Sequence, residues 1–219
     1  MKLRIGEIYD RLLTFLLPYK EEEAAFLNLS AAQFLETVSP SAPLNIADAK
    51  AMFSYNNKMV KQAIWLLKFK NDRKAARILS EIMSEAAAEW LHDLLCFENF
   101  ASPIIVPVPM SKNRRKERGG DHTLTLCQKM TDELPIGTAE LVKNALIKIR
   151  ETESQVKTRS KTERLSNLMN SFGADPNLVS GRNIVLIDDV ITTGATVEEC
   201  RKTLMASDAK RVIALAIAH

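Results

Sequence analysis

Apolar residues recur at helical spacing through Ala75, Ile78, Leu79, Ile82, Met83, Ala86, Ala87, Trp90, Leu91 and Leu94. That spacing predicts one long amphipathic helix, with Asp72 placed to cap it. Before it, residues 3–17 and about 22–37 read as two helices, and Ser39-Pro40-Ser41-Ala42-Pro43 breaks the pattern as a linker. Met52-Phe53-Ser54-Tyr55 predicts a short strand, and Val60, Ile64, Leu67 and Phe69 predict a helix ending in Lys68-Phe69-Lys70. From residue 103 the rhythm changes. Ile104-Ile105-Val106-Pro107-Val108-Pro109 reads as a buried strand running into a rigid loop, with a helix from Thr123 to Asp132. A strand follows at Ala145–Ile149, then a polar stretch over 150–170. Asn183–Ile187 is a second buried strand, a helix spans about Ala195–Met205, and Arg211–Ile217 is a third strand. Continuous apolar strands alternating with helices predict an α/β fold with a parallel sheet. Ligands of such sheets sit beyond the carboxyl ends of the strands. The chain therefore divides into a helical N-terminal extension, 1–51, and an α/β domain, 52–219.

Composition narrows the class without choosing a function. With 46% apolar and 26% charged residues the chain is an ordinary globular protein, expected in the cytoplasm. The apolar stretch Leu12-Leu13-Thr14-Phe15-Leu16-Leu17 is too short to span a bilayer. Cys96, Cys127 and Cys200 are far apart and form no CxxC, so they read as buried or partly buried structural thiols. The net charge of +3 is uneven. Residues 101–180 hold 13 basic and 9 acidic side chains, whereas residues 1–100 hold 12 and 13. The positive excess lies just before the strongest motif, which suits a phosphate-rich ligand.

That motif is Val185-Leu186-Ile187-Asp188-Asp189-Val190-Ile191-Thr192-Thr193-Gly194-Ala195-Thr196. A buried strand ends in two acids, and a short loop then enters a helix. Gly194 lets the backbone approach a ligand closely. Loop amides and a helix N-terminus make an anion site, and the threonine hydroxyls add donors. Two carboxylates would repel a second phosphate there. They suit hydroxyls or a hydrated Mg²⁺. A ligand with a phosphate, a diol and a metal-bound diphosphate meets all three demands, as 5-phosphoribosyl-1-pyrophosphate (PRPP) does.

Four apolar residues, two acids and Thr-Thr-Gly-Ala-Thr resemble the PRPP signature of type I phosphoribosyltransferases. Further pieces resemble the ComF family of competence-related phosphoribosyltransferase-like proteins: Leu66–Lys70, Val106-Pro107-Val108-Pro109-Met110, Arg118-Gly119, Arg150-Glu151-Thr152-Glu153-Ser154-Gln155, Arg164-Leu165-Ser166-Asn167 and Phe172. The resemblance implies a type I phosphoribosyltransferase-like parallel sheet flanked by helices. It implies that Asp188 and Asp189 hold the ribose 2- and 3-hydroxyls, and that Thr192, Thr193, Gly194, Ala195 and Thr196 cradle the 5-phosphate. It assigns Val108, Pro109, Arg114, Arg115 and Arg118 to a pyrophosphate loop, and Arg150, Gln155 and Arg164 to a mobile loop covering the site. Mg²⁺ would be carried by PRPP rather than bound directly by protein groups. The chain departs from the family twice. Residues 1–51 lack the usual four-cysteine zinc module, and the family's Arg-Gly-Phe-Asn-Gln is Arg118-Gly119-Gly120-Asp121-His122 here. His122 reads as a surface residue, and Lys68 and Lys70 as structural.

The expected activity is Mg²⁺-dependent transfer of the phosphoribosyl group to an acceptor the sequence does not name, with release of pyrophosphate. Two alternatives stay open. One is a non-catalytic sensor of PRPP or a nucleotide that serves DNA uptake. The other is a nucleic-acid accessory role for the five positive side chains of Lys112, Arg114, Arg115, Lys116 and Arg118. Partners other than PRPP would then be nucleic acid or DNA-uptake proteins. The sequence leaves the oligomeric state open, a homodimer included.

Overall fold

The computed structural model describes residues 21–150 and 170–219. The helix expected over 3–17 therefore lies outside the described residues. So does most of the expected covering loop, with Gln155 and Arg164.

Helices α1 (Glu21–Leu27) and α2 (Ala31–Thr37) come first, followed by strand β1 (Ala49–Phe53), helix α3 (Lys58–Trp65) and a π-helical turn (Leu66–Lys70). Helix α4 (Arg73–Glu98) carries the long apolar stripe, and strand β2 (Ile104–Pro107) follows it. Next are helices α5 (Lys112–Glu117) and α6 (His122–Glu133) and strands β3 (Glu140–Leu141), β4 (Leu146–Lys148) and β5 (Phe172–Ala174). Helix α7 (Pro176–Val179), strand β6 (Asn183–Val190), helix α8 (Ala195–Met205) and strand β7 (Arg211–Ala218) complete the described chain. The cap anticipated at Asp72 forms, accepting from the amides of Lys74 and Ala75; Asn57 also caps α3, accepting from those of Met59 and Val60.

The main sheet has five strands in the order β1-β7-β6-β2-β3, every pairing parallel. All their carboxyl ends therefore share one edge. The expected strand at Ala145–Ile149 shortens to β4 and pairs antiparallel with β5 outside the main sheet. Strand residues alternate between faces. Val185 and Ile187 enter one core with residues of α3, α4 and α6, while Ile184 and Leu186 enter a second core with Val197, Cys200 and Leu204 of α8. Helices thus cover both faces, as a parallel sheet requires.

Strand β1 begins at Ala49, so the boundary expected between residues 51 and 52 falls inside a strand. Phe26 and Phe34 of the N-terminal helices are fully buried with Phe53 of β1. Their rings pack edge to face at 5.5 and 5.6 Å, the geometry aromatic quadrupoles favour. The described part of the extension therefore shares a core with the α/β domain. Cys127 and Cys200 are buried, but Cys96 is exposed, on the outer side of α4. Among the described residues no helix is long and apolar enough to cross a membrane.

Candidate functional site

Strand alternation decides what each acid of the pair can do. Asp188 continues the Ile184–Leu186 face toward α8, and Asp189 continues the Val185–Ile187 face toward α6 and the π-turn. Neighbours in sequence thus point to opposite sides of the sheet edge.

Asp189 is buried and meets two partners. The Lys68 ammonium lies 2.8 Å from Oδ1, and His122 Nε2 lies 2.5 Å from Oδ2. The carboxylate only accepts, so His122 donates through Nε2. Its Nδ1 is then left buried with no partner among the described residues. Burial alone would raise the Asp189 pKa. The His122 hydrogen bond and the Lys68 charge outweigh it and hold Asp189 down at about 2. Asp188 has the opposite balance. Burial first, and then the neighbouring Asp189 charge, push it up to about 7. The amide of Asp189 donates to Asp188 Oδ1 at 2.8 Å, which leaves Oδ2 as its less engaged oxygen. One acid is thus locked as an anion while the other is poised near neutrality.

After β6 the chain turns through Thr192 and Thr193, both exposed, into α8. Gly194 takes φ +78° and caps the helix without a side-chain hydrogen bond. In the first turn of α8 the amide of Glu198 bonds to the Gly194 carbonyl, and Thr193 Oγ1 reaches the Ala195 amide only at 3.5 Å. The amides of Thr193, Gly194, Thr196 and Val197 make no hydrogen bond among the described residues. A helix N-terminus with open amides carries partial positive charge and favours an anion.

Strand β2 ends beside β6, where the amide of Val108 donates to the Ile187 carbonyl at 2.8 Å. Pro109 and Met110 follow, and Ser111 caps α5. The basic cluster expected as a loop is therefore mostly a short helix, and its members diverge. Arg118 stands 3.3 Å from His122 Nε2 and lies over the exposed Phe69 ring at 5.4 Å. Partial burial lowers its pKa, with the Asp189 charge acting the other way. Arg114 is half-buried, and its charge acts on Asp188. Arg115 instead pairs with Asp121 at 2.8 Å, which leaves it turned toward the start of α6. Arg150 is exposed at the end of the described segment.

One expectation changes here. His122 is buried, with 3% of its surface exposed, and it contacts Asp189 rather than solvent. Lys68 belongs to the same cluster. A signal for His122 was present: it shares a helix face with Leu126 and Met130, four and eight residues on, and both are buried. Lys68 depends on the π-turn, which apolar periodicity does not reveal.

No family model matches the chain. It is 28% identical over 158 residues to the competence protein ComFC of Bacillus subtilis, a match covering 71% of this chain and 57% of that protein. It is 32% identical over 143 residues to competence protein F of Haemophilus influenzae, covering 63% and 58%. The chain is homologous to ComF-type competence proteins. A third relative, the DNA utilization protein YhgH of Escherichia coli K12, is 33% identical over 108 residues, covering 49% and 45%. The chain spans about half the length of the curated relatives it matches. Solved structures that overlay on it include a hypoxanthine phosphoribosyl transferase of Trypanosoma cruzi, with TM-score 0.40, 10% identity and 63% of each chain covered. The glutamine PRPP amidotransferase of B. subtilis also overlays, with TM-score 0.40, 16% identity, 71% of this chain and 30% of that one covered. These overlays are too loose to bear on function, and the fold rests on the strand order itself.

Proposed function

We propose that the chain binds PRPP with Mg²⁺ and transfers its phosphoribosyl group to an acceptor, releasing pyrophosphate. One observation carries this reading: the acid Asp188 and an open row of amides leave the same strand, on opposite sides of a single short turn. The 5-phosphate takes the amides of Thr193, Gly194, Thr196 and Val197, with the Thr192, Thr193 and Thr196 hydroxyls beside them. The ribose hydroxyls take Asp188, whose ionisation they favour. Asp189 already spends one lone pair of each oxygen on Lys68 and His122, so it accepts a ribose hydroxyl only alongside them. Its main part is to hold the cluster in place.

Among the described residues no three acids, histidines or cysteines converge on one point. Asp188 offers a single oxygen to a hydrated cation, which fits a metal brought in by the ligand. When bound, Mg²⁺ neutralises diphosphate charge and eases its departure. Arg114, whose charge acts on Asp188, and Arg118, which stands beside His122, would oppose the charge that builds on the leaving group. The bond from the anomeric carbon to the diphosphate oxygen breaks, and its electron pair leaves with pyrophosphate. A lone pair of the acceptor forms the new bond to carbon, and the acceptor's proton passes to water. Arg115, paired with Asp121, then stands outside the leaving-group site, and the covering role expected of Arg150, Gln155 and Arg164 joins the proposal. The names of the relatives support a link to DNA handling during competence, and a cytoplasmic location joins the proposal.

Calorimetry tests the reading. PRPP–Mg²⁺ is titrated at pH 6.5 in two buffers of different ionisation heat. Asp188 must give up its proton to hold the ligand, so wild type should release more protons than Asp188→Asn. The variant should bind roughly 10- to 100-fold more weakly, the loss of a charge-assisted hydrogen bond. Wild-type affinity in a folded Asp188→Asn/Asp189→Asn variant would overturn it.

A further inference from the structure

A concavity opens on the same edge of the sheet. It has a volume of about 400 Å³, within the range of small-molecule sites. It lies between Tyr55, two residues beyond β1, and the outward face of α3 and the π-turn. Tyr55, Trp65 and Phe69 line it and are 38%, 38% and 55% exposed. The Trp65 and Phe69 rings stand 5.9 Å apart, tilted by 37°.

Its charge is one-sided. Lys58, Lys61 and Lys68 line it, and among the described residues no acid does. Lys68 has Asp189; Lys58 and Lys61 have no carboxylate within ion-pair distance among the described residues. Gln62 also lines the space, and its amide nitrogen is buried without a hydrogen-bond partner. A buried donor left unmade is costly, and a rotation of this partly exposed side chain would bring it to an acceptor oxygen in the cavity. The two ammoniums without a carboxylate, Lys58 and Lys61, ask for an anionic oxygen acceptor. Each of the three exposed rings carries a cation on one side, Lys61 over Tyr55 at 5.7 Å, Lys70 over Trp65 at 5.7 Å and Arg118 over Phe69 at 5.4 Å, so a flat apolar ligand would stack on the opposite face of a ring. One ligand that meets both demands is a planar ring bearing a carboxylate. A simple phosphate would leave the rings uncovered, and a neutral ring would leave the amines unanswered.

We propose that this cavity binds a planar aromatic or heteroaromatic carboxylate, and that it is the acceptor site of the transfer reaction. Lys68 joins the two places. Its stem lines the cavity while its ammonium sits 2.8 Å from Asp189. The π-turn makes this possible, since it buries Leu66 and Leu67 while turning Lys68 and Phe69 outward. The acceptor role rests on the PRPP reading; binding in the cavity does not.

The test therefore separates them. Trp65 emission is followed in the full-length protein, without PRPP, as three matched pairs are added: orotate and uracil, nicotinate and nicotinamide, anthranilate and aniline. A Trp90→Phe background assigns the signal to Trp65. At least one carboxylate should quench with a dissociation constant below about 10 mM and bind at least about fivefold tighter than its neutral partner. Lys58→Gln/Lys61→Gln and Gln62→Leu, both at partly exposed positions, should each weaken that binding at least about threefold with unchanged circular dichroism. No quenching by any carboxylate, no preference over the neutral partner, or affinity unchanged in both variants overturns the cavity assignment. Tighter binding of oligothymidylate than of every carboxylate also overturns it, in favour of nucleic acid. Adding PRPP–Mg²⁺ then addresses the acceptor role alone. Pyrophosphate release that depends on the bound carboxylate supports it. Carboxylate binding with PRPP bound but no release leaves a binding cavity and removes the acceptor role.

Discussion

Gly194→Val should abolish binding of ribose 5-phosphate and lower stability by about 1–3 kcal/mol, the cost of forcing a β-branched residue into a sparsely populated backbone region. Gly194 holds φ +78°, and a Cβ there would come within 2.2 Å of Ile46 Cδ1 and 3.0 Å of Cγ1. Ile46 can withdraw only by turning its side chain, because the backbone beside it is held. Arg201 of α8 grips the carbonyls of Ala47 and Asp48 at 2.7 and 3.2 Å and ties that segment to the helix. The two costs are separable. In Gly194→Ala/Ile46→Ala the clash is gone but the positive φ remains, so stability should partly recover while phosphate binding stays weakened. Urea denaturation and ligand titration of the three proteins check this. Wild-type binding in Gly194→Val would show that the turn does not hold the phosphate.

The second large effect is predicted for the cluster around Asp189. Lys68→Met and His122→Leu each leave one partner in place. The double variant leaves a buried carboxylate with none and should cost about 3–5 kcal/mol, more than the two single losses together. Neutralising the acid should reverse much of it, so Asp189→Asn in the double background should be more stable than the double variant itself. The pH dependence has a defined sign. The Asp189 pKa is depressed in the native wild type, so its contribution is present above the unfolded value and fades as pH falls toward about 2. Stripped of partners, its native pKa rises, and ionisation destabilises the fold as pH climbs. The gap between wild type and double variant should thus widen from pH 4 to pH 7. A constant gap over that range would mean that Asp189 is not the charge at issue.

The parts of this molecule written locally were readable before any coordinates. The run Ile184–Ile187 followed by two acids and Thr192–Thr196 specifies a buried strand, a turn and a helix start, because each depends on neighbours a few residues away. The same holds for the stripe of α4 and its Asp72 cap. What sequence hid depends on distant contacts. The assignment of opposite protonation to Asp188 and Asp189 needs His122, 67 residues from Asp189, and Lys68. The split of the basic cluster needs Asp121 to take Arg115 while Phe69 and His122 receive Arg118. The cavity beside them needs the π-turn and Tyr55 brought to one edge by β1.

The central claim is that the turn from β6 into α8 holds the phosphate of a phosphoribosyl ligand, and amide NMR of the ¹⁵N-labelled protein tests it most directly. On titration with ribose 5-phosphate, and again with PRPP–Mg²⁺, the amides of Thr193, Gly194, Thr196 and Val197 should move together and downfield as they take up the phosphate oxygens. PRPP–Mg²⁺ should in addition shift resonances near Arg114 and Arg118, which ribose 5-phosphate leaves in place. Saturable shifts elsewhere with these four amides unmoved, or no shift with either ligand, would contradict the account.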